Sequence, residues 1–415
     1  MSYPITLDVT IDFSSGAVFG TTLVLGDPTY GQLGYNVLGD AASEIVDISN
    51  IVSNVKLNGG YNLLQDQFEA TTGTVRLYDS NGDWNPENPS SPYYGKLVPN
   101  RKIRVSATYS GTTYFIFSGY TSAYNYTYPK NQEIAYLDIA VSDAFRLFNL
   151  SNITTVAGAI AGQTTGTRID KILDQISWPS AMRSIDAGST TCQADPSNAR
   201  TALQALKNAE FTEQGGFFID PQGNATFYSR QTVQSKSGQT PVYFSNAGDG
   251  IGYFNITTAL DDKLVINQAN ITRIGGTTQT ASNADSIAKY FPHTMNQANL
   301  IAETDAQCLD IANIYVATRA ETVLRIDNIT LDLTTPNYND GIIAALSLQY
   351  FDPVTIRNDQ QGGTYILKTL EVLGSAVEIT PSTWKTTFTT AEPIVDGFIL
   401  NNATYGVLGT GVLTY

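Results

Sequence analysis

The chain has 415 residues and a mass of 44.9 kDa, more than one hydrophobic core usually supports, since single domains stop growing at about 250 residues. Only 15% of the residues are charged, and 38 acidic against 23 basic residues give a net charge of -15, which disfavours binding to nucleic acid through phosphate contacts. No apolar run approaches the roughly 18 residues of a membrane span. The first residues also lack the basic start and apolar stretch of a secretory signal, so we expect neither stable membrane insertion nor a cleaved signal.

Alternating apolar and polar side chains dominate the first 150 residues, which are rich in Val, Ile, Thr, Tyr and Phe. This pattern is typical of half-buried strands, and turns rich in Gly, Asn and Asp separate the segments. The pattern therefore predicts an antiparallel barrel or sandwich. Its predicted strands are 5–13, 72–80, 102–110, 112–124 and 134–143.

Helical spacing begins at about residue 166, where Ile169, Ile172 and Leu173 would share one face of a short helix. A second helix is predicted to start with Asp195 as its N-cap and Pro196 at its first position. Residues 215–230 then predict a β-hairpin. A helix pair next to a hairpin indicates a compact α+β insertion.

The strongest helix signal opens at Thr304, and it places Cys308 on the buried face. Further strands are predicted at 323–333, 352–358, 362–374 and 385–392. We therefore expect a mainly β fold with an α+β insertion, in which two antiparallel β-barrel domains are accompanied by small helix-containing domains. The expected units are an N-terminal β-arm (1–40), a first β-barrel domain (41–150), an α+β insertion domain (151–262), a helix with a second β-barrel domain (263–390) and a C-terminal ribbon (391–415).

An internal repeat joins the two ends of the chain, because residues 23–40 align without gaps to residues 398–415 and match at eight of 18 positions. Each copy predicts a strand, a Thr-Tyr-Gly corner and a second short strand, and we call the copies the TYG ribbons. An apolar ribbon of this kind is a template for strand addition by a neighbouring subunit. The assembly-interface candidates are Leu25, Tyr30, Gly31, Leu33, Val37, Leu38, Leu400, Tyr405, Gly406, Leu408, Val412 and Leu413.

Cysteine and histidine are too few for several kinds of site. Cys192 and Cys308 cannot form a zinc knuckle or a disulfide framework, and we expect both to be reduced and packed. His293 is the one histidine, which excludes sites that need two imidazoles. No GxSxG motif accompanies it, so we interpret it as a polar loop residue.

The loop that starts at Asp79 places Asp and Asn at alternate positions, as the first ligands of a calcium loop do. Gly82 comes too early in that pattern, and Ser90 stands where the bidentate glutamate belongs. A hydrogen-bonded turn is the preferred interpretation. No phosphate-binding glycine motif is present, and no carboxylate pair stands out by its spacing, so we expect no catalytic, cofactor or metal site and no enzyme activity.

Residues 73–124 resemble the β-region of the minor tail proteins of long-tailed bacteriophages, in which an "N-P-x-S-P-Y" turn and an "L-x-P-x-R-x-[IV]-R" strand precede an "F-x-G" strand. Residues 194–230 are similar to the helix, glycine pair and hairpin of the same proteins. The segment 352–358 resembles their late "D-x-V-x-[IV]" strand, and the terminal TYG ribbon is also similar to theirs.

This resemblance implies a tail-tip or baseplate hub protein of the virion, made in the host cytoplasm. It implies a homotrimer whose two barrels per chain form a ring of six similar units, which would adapt six-fold tail rings to three-fold tip proteins. The implied partners are the distal tail ring protein, the tape-measure protein and the tail-tip or fibre proteins. DNA would pass through the lumen without sequence-specific binding.

An alternative from another functional class is a secreted or virion-borne β-protein that binds or depolymerises carbohydrate. The Tyr and Asn content favours it, but it should show a signal sequence or a clustered carboxylate site. A distal tail ring protein, the hub's neighbour, would be shorter and would not need two barrels.

Overall fold

A computed structural model describes residues 4–14, 16–19, 44–128, 134–335 and 338–393. The elements before residue 151 in these ranges are mostly long strands. They are β1 (Thr6–Asp12), β2 (Ile45–Asp47), β3 (Val52–Asn62), β4 (Gln67–Asp79), β5 (Lys102–Tyr109), β6 (Thr112–Thr127), β7 (Ala135–Ser142) and α1 (Phe145–Leu150).

Short strands and three helices follow between residues 151 and 240. They are β8 (Asn152–Ile153), β9 (Gln163–Thr164), α2 (Thr165–Gln175), β10 (Arg183–Ile185), β11 (Thr191–Cys192), β12 (Arg200–Thr201), α3 (Ala202–Glu213), β13 (Gly216–Ile219), β14 (Ala225–Tyr228) and α4 (Arg230–Ser237).

The remaining described residues return to longer strands with three more helices. These elements are β15 (Val242–Ser245), β16 (Asn255–Ala259), β17 (Gln268–Arg273), β18 (Gln279–Ser282), α5 (Ala284–Tyr290), β19 (Thr294–Leu300), α6 (Asp305–Arg319), β20 (Arg325–Asp332), α7 (Asn339–Ser347), β21 (Pro353–Asp359), β22 (Tyr365–Ile379) and β23 (Trp384–Ala391).

One 13-stranded sheet runs through both ends of the described chain, in the order β16-β20-β23-β22-β3-β4-β7-β6-β5-β1-β2, with β21 pairing β22 and β15 pairing β21. The prediction of a mainly β fold with small helix-containing units is confirmed. Two closed barrels were expected, but over the described ranges the sheet does not return to its first strand, so no barrel closes there. We call β1–β7 the N-terminal strand region, and β15, β16 and β20–β23 the C-terminal strand region.

Apolar and polar side chains alternate along the strands, and the apolar ones form the buried face of the sheet. Val75 and Leu77 of β4 lie opposite Ile139 and Leu137 of β7, and all four are fully buried. The same core continues into the C-terminal strand region through residues such as Leu331. Since the two strand regions share one hydrophobic core, the sheet curls around a common interior rather than forming two independent cores.

The insertion between the strand regions is built on α2 and α3. Helix α2 starts where its spacing predicted, but α3 begins several residues later than the predicted N-cap at Asp195. Thr201 and Gln204 form a reciprocal capping box that fixes the start of α3. The Asp195 carboxylate instead accepts from the amide of Val156 at 3.1 Å and holds the loop before the helix.

A three-stranded sheet, β18-β17-β19, packs against α6 beside the insertion. Helix α6 begins after the predicted N-cap Thr304, and Cys308 and Tyr315 are buried on its inner face. No helix in the described part of the chain combines the length and the apolar character that crossing a membrane requires.

Candidate functional site

The assembly-interface candidates of the two TYG ribbons, from Leu25 to Leu38 and from Leu400 to Leu413, all lie outside the described residues. Their role at an assembly surface therefore stays a prediction. The described residues contribute a different candidate, which is the region where the two strand regions and the insertion meet.

The Asp79 loop is a hydrogen-bonded turn in the structure. The Asp79 carboxylate accepts from the backbone amides of Asp83 and Trp84 at 3.0 Å each, and from the Tyr126 hydroxyl at 2.9 Å. Trp84 is buried and stacks on Tyr93, with ring centroids 4.4 Å apart. Among the described residues, no group of three or more His, Cys, Asp or Glu side chains is arranged to hold a metal ion.

The contacts of the two cysteines and of the histidine give them structural roles. Cys192 and Cys308 are buried free thiols, and burial raises the pKa of Cys192 to about 12, so its thiolate is not populated near neutral pH. The His293 ring nitrogen Nε2 lies 3.1 Å from the carbonyl of Tyr290, and its backbone amide donates to Asn267 at 2.7 Å. These contacts fix a loop.

Strands β3 and β22 join the two strand regions directly. Residues 55–60 pair antiparallel with residues 374–379, with Gly60 opposite Gly374, and we call this pairing the junction. Gly60 has φ +139°, and a Cβ atom there would lie 2.3 Å from the Cα of Gly374. Only glycine allows the two backbones to approach this closely. The glycines are therefore required for the continuous sheet.

A buried ion pair ties α6 to the turn between β3 and β4. Arg319 at the end of α6 donates to both carboxylate oxygens of Asp66, at 2.7 and 2.8 Å, and the Asp66 side chain is 2% exposed. The Arg319 guanidinium also lies 5.3 Å from the Tyr315 ring centroid. Burial raises the pKa of Tyr315, and the nearby Asp66 carboxylate adds to the shift. Bidentate geometry fixes the orientation as well as the distance of the two elements.

A second buried contact joins α3 to β4. Lys207 donates to the carbonyl of Phe68 and lies 3.0 Å from the Glu210 carboxylate. Glu210 also accepts from the amide of Phe217 at 2.9 Å. Burial raises the pKa of Glu210, although Lys207 opposes that shift. The insertion is thus held on the sheet by Lys207 and Glu210 of α3, because Lys207 also contacts the backbone of Phe68 in β4.

Glu371, in the middle of β22, supplies the third contact. Its side chain is buried and accepts from the Ser237 hydroxyl of α4. Burial raises the pKa of Glu371 to about 7, although the Ser237 hydrogen bond opposes the shift. A cleft of about 190 Å³ lies among Asp66, Glu210, Arg319 and Glu371. Each of these four groups has a partner in the protein, so the arrangement fixes the relative orientation of the elements that carry them.

The fold is similar to that of two solved tail proteins. A tail protein from Neisseria meningitidis MC58 matches with a TM-score of 0.56 and 10% identity, over 94% of this chain and 97% of that one. The 43 kDa tail protein of prophage MuSo2 from Shewanella oneidensis matches with a TM-score of 0.53 and 11% identity, over 85% of this chain and 96% of that one. The chain has a phage tail-protein fold. No protein-family model and no curated protein sequence matches it.

This tail-protein fold confirms the resemblance drawn from the sequence motifs, at the level of fold. Sequence reasoning missed the junction, because β3 was not predicted and the predicted strand 362–374 ended before most of the paired residues of β22. Helices α4 and α7 were not predicted either. The paired glycines at positions 59 and 60 interrupt the alternation of β3, which hid the strand. The signal available was the Gly-Gly pair itself, which marks a close approach of two backbones.

Proposed function

We propose that this protein is a structural component of a bacteriophage tail. The observation that carries the proposal is the fold, which matches two tail proteins over nearly their whole length. The buried charged groups described above support it, because they serve to fix one element against another.

Within the tail, we propose the trimeric hub of the tail tip or baseplate. Three copies with two strand regions each would present six similar units to a six-fold tail ring and three to the tip proteins. One continuous sheet and one shared core support this role, since they keep the two strand regions of a chain at a fixed mutual orientation. A symmetry adaptor needs that rigidity.

The proposed partners are a second and third copy of the chain, the distal tail ring protein, the tape-measure protein and the tail-tip or fibre proteins. Light scattering on the purified protein should give about three times 44.9 kDa, with assembly favoured at high protein concentration. Protein that stays monomeric at high concentration and also with its tail neighbours present would contradict the trimeric hub.

The TYG ribbons are the proposed contacts of that assembly. Deleting residues 398–415 should leave the described fold intact by circular dichroism and should block incorporation into tails. The double variant Leu64→Ser/Ile160→Ser is a control, because these two exposed apolar side chains lie outside the ribbons and their replacement should leave incorporation unchanged. Normal incorporation of the truncated protein would refute the assembly role of the ribbon.

A further part of the proposal is that acidic residues line the DNA channel; the alternative is that the net negative charge only keeps a surface with few charges soluble. A trimer would carry three times -15, or -45. Acidic groups on a channel wall would repel passing DNA over a Debye length of roughly 8 Å at physiological salt. A trimer structure whose channel is lined by Lys and Arg would contradict this part and leave the hub itself standing.

A further inference from the structure

The cleft of about 190 Å³ lies where the insertion, α6 and the β3–β4 turn meet, and aliphatic side chains form much of its lining. These side chains keep part of their surface exposed, and Val323 has 40% of its surface exposed. They are Leu63, Val233, Leu264, Ile314 and Val323. Apolar surface grouped in a concave site costs free energy while water covers it, so the lining favours an apolar occupant.

The described part of the chain stops at the same cleft. Ala391, Glu392 and Pro393 belong to its lining, and Pro393 is the last described residue before the C-terminal TYG ribbon. The sequence continues with Ile-Val-Asp-Gly at 394–397, and we call these four residues the link. A segment attached to Pro393 is held near the cleft at a high effective concentration. The link is therefore the segment of the chain best placed to fill it.

Arg230, the first residue of α4, brings a positive charge to the cleft. Its side chain is half-buried, and none of the described residues forms a hydrogen bond or an ion pair with its guanidinium. The carboxylates of the lining are engaged elsewhere, since Glu371 accepts from Ser237 and the others are paired with another Lys or Arg. These paired carboxylates are Asp66, Glu210, Asp261, Glu321 and Glu392. A partly desolvated cation without a counter-ion favours a further carboxylate nearby.

The link has the side chains that this lining would hold. Ile394 and Val395 are aliphatic, and Asp396 is the one charged residue between positions 394 and 415. Three residues of extended chain span roughly 10 Å, so the Asp396 carboxylate can reach a side chain on the wall of a cleft whose lining includes Pro393. An ion pair with Arg230 would be stronger there than in open solvent, because the cleft excludes part of the water.

We propose that the link occupies this cleft in its own chain, with Ile394 and Val395 packed against the aliphatic lining and the Asp396 carboxylate accepting from the Arg230 guanidinium. The bound link would join β23 to α4 of the insertion. It would also set the point from which the C-terminal TYG ribbon leaves the fold. The proposal does not rest on the trimeric hub or on the assembly role of the ribbon, because the link precedes residues 398–415.

Disulfide cross-linking tests where the link lies. The variant Val395→Cys/Val233→Cys places one cysteine on the link and one on the α4 wall of the cleft. The matched control is Val395→Cys/Leu367→Cys, because Leu367 is 51% exposed, lies outside the lining and neighbours Lys368, whose ammonium lies 2.5 Å from the Glu392 carboxylate. An unbound link would reach both positions. The native Cys192 and Cys308 are buried and should not compete.

Under mild oxidation, we expect the cleft pair to cross-link within one chain at least about tenfold faster than the control pair, because a bound link holds its cysteine within disulfide distance. Non-reducing electrophoresis and mass spectrometry of the linked peptides measure both rates. Equal rates would overturn the proposal. A mixture of the single variants Val395→Cys and Val233→Cys should give no cross-linked dimer; a dimer formed as fast as the cross-link within the double variant would mean that the link occupies the cleft of a second copy, which also overturns it.

Charge reversal tests the contact with Arg230. In the cleft-pair background, Asp396→Lys should slow cross-linking about two- to fivefold, and the further change Arg230→Glu should restore the rate by reversing the pair. Glu87→Lys, at an exposed position in the Asp79 loop, makes the same change of charge elsewhere and should leave the rate unchanged. A doubly reversed variant that stays slow would overturn the assignment of Arg230 as the partner of the link.

Discussion

Loss of the buried ion pair between Asp66 and Arg319 should destabilise the protein strongly. Arg319→Ala leaves the Asp66 carboxylate, 2% exposed, without the guanidinium that now lies 2.7 and 2.8 Å away. Breaking a buried pair from one side costs about 3–5 kcal/mol, because the remaining charge stays desolvated. That is a large part of a total stability of about 5–15 kcal/mol.

Urea unfolding followed by circular dichroism and tryptophan fluorescence measures the free energy change. The double variant Asp66→Asn/Arg319→Met should recover most of the loss, since it removes both charges and keeps the approximate volume. Lys56→Ala is the control, because Lys56 and Glu378 form an ion pair across the junction with side chains 61% and 50% exposed. Its loss should cost less than about 1 kcal/mol.

Two results would refute this reasoning about burial. One is a loss for Arg319→Ala no larger than that for Lys56→Ala, which would mean that the surroundings of Asp66 solvate its charge. The other is a double variant as unstable as the single one, which would mean that packing by the Arg319 side chain, rather than its charge, holds α6 to the β3–β4 turn.

Two further predictions concern β22 and its pairing with β3. The pKa of Glu371 is raised to about 7 from 4.5, so the folded protein keeps a proton that the unfolded chain loses, and the free energy of unfolding should fall by about 3 kcal/mol between pH 4.5 and pH 7. Glu371→Gln should flatten this decline in urea unfolding at a series of pH values; an unchanged slope would contradict the assignment. Gly60→Ala should destabilise the protein by about 2–4 kcal/mol, because its Cβ would meet Gly374, whereas Gly252→Ala, with open space around it, should be nearly neutral by thermal unfolding.

The sequence by itself determined the local elements, because their signals are local. Alternation located the strands from β4 to β7 and from β20 to β23, except for a few residues at their ends. Helical spacing and an N-cap located α2 and α6. The local signals failed at the start of α3, where Asp195 was the predicted N-cap and Thr201 is the N-cap in the structure. Only the folded loop shows which side chain reaches the helix amides.

The sequence also limited the kinds of site the protein can contain. With two cysteines and one histidine, a site that needs several of these side chains cannot form in any fold. The motif resemblance led to a tail-protein fold that the structure shares, although those motifs contain no contact between distant residues. The two blocks of predicted strands, together with the resemblance, favoured two separate barrels, whereas the described residues form one sheet.

Only the tertiary structure decided how the strand regions are joined. Gly60 and Gly374 are 314 positions apart in the sequence, and nothing local to either glycine indicates the other. The same holds for Asp66 with Arg319. Pairing between distant residues depends on which buried donor meets which buried acceptor, and on which backbone lacks a Cβ at the point of approach. These pairings are properties of the folded and packed chain, and the order of its residues alone does not reveal them.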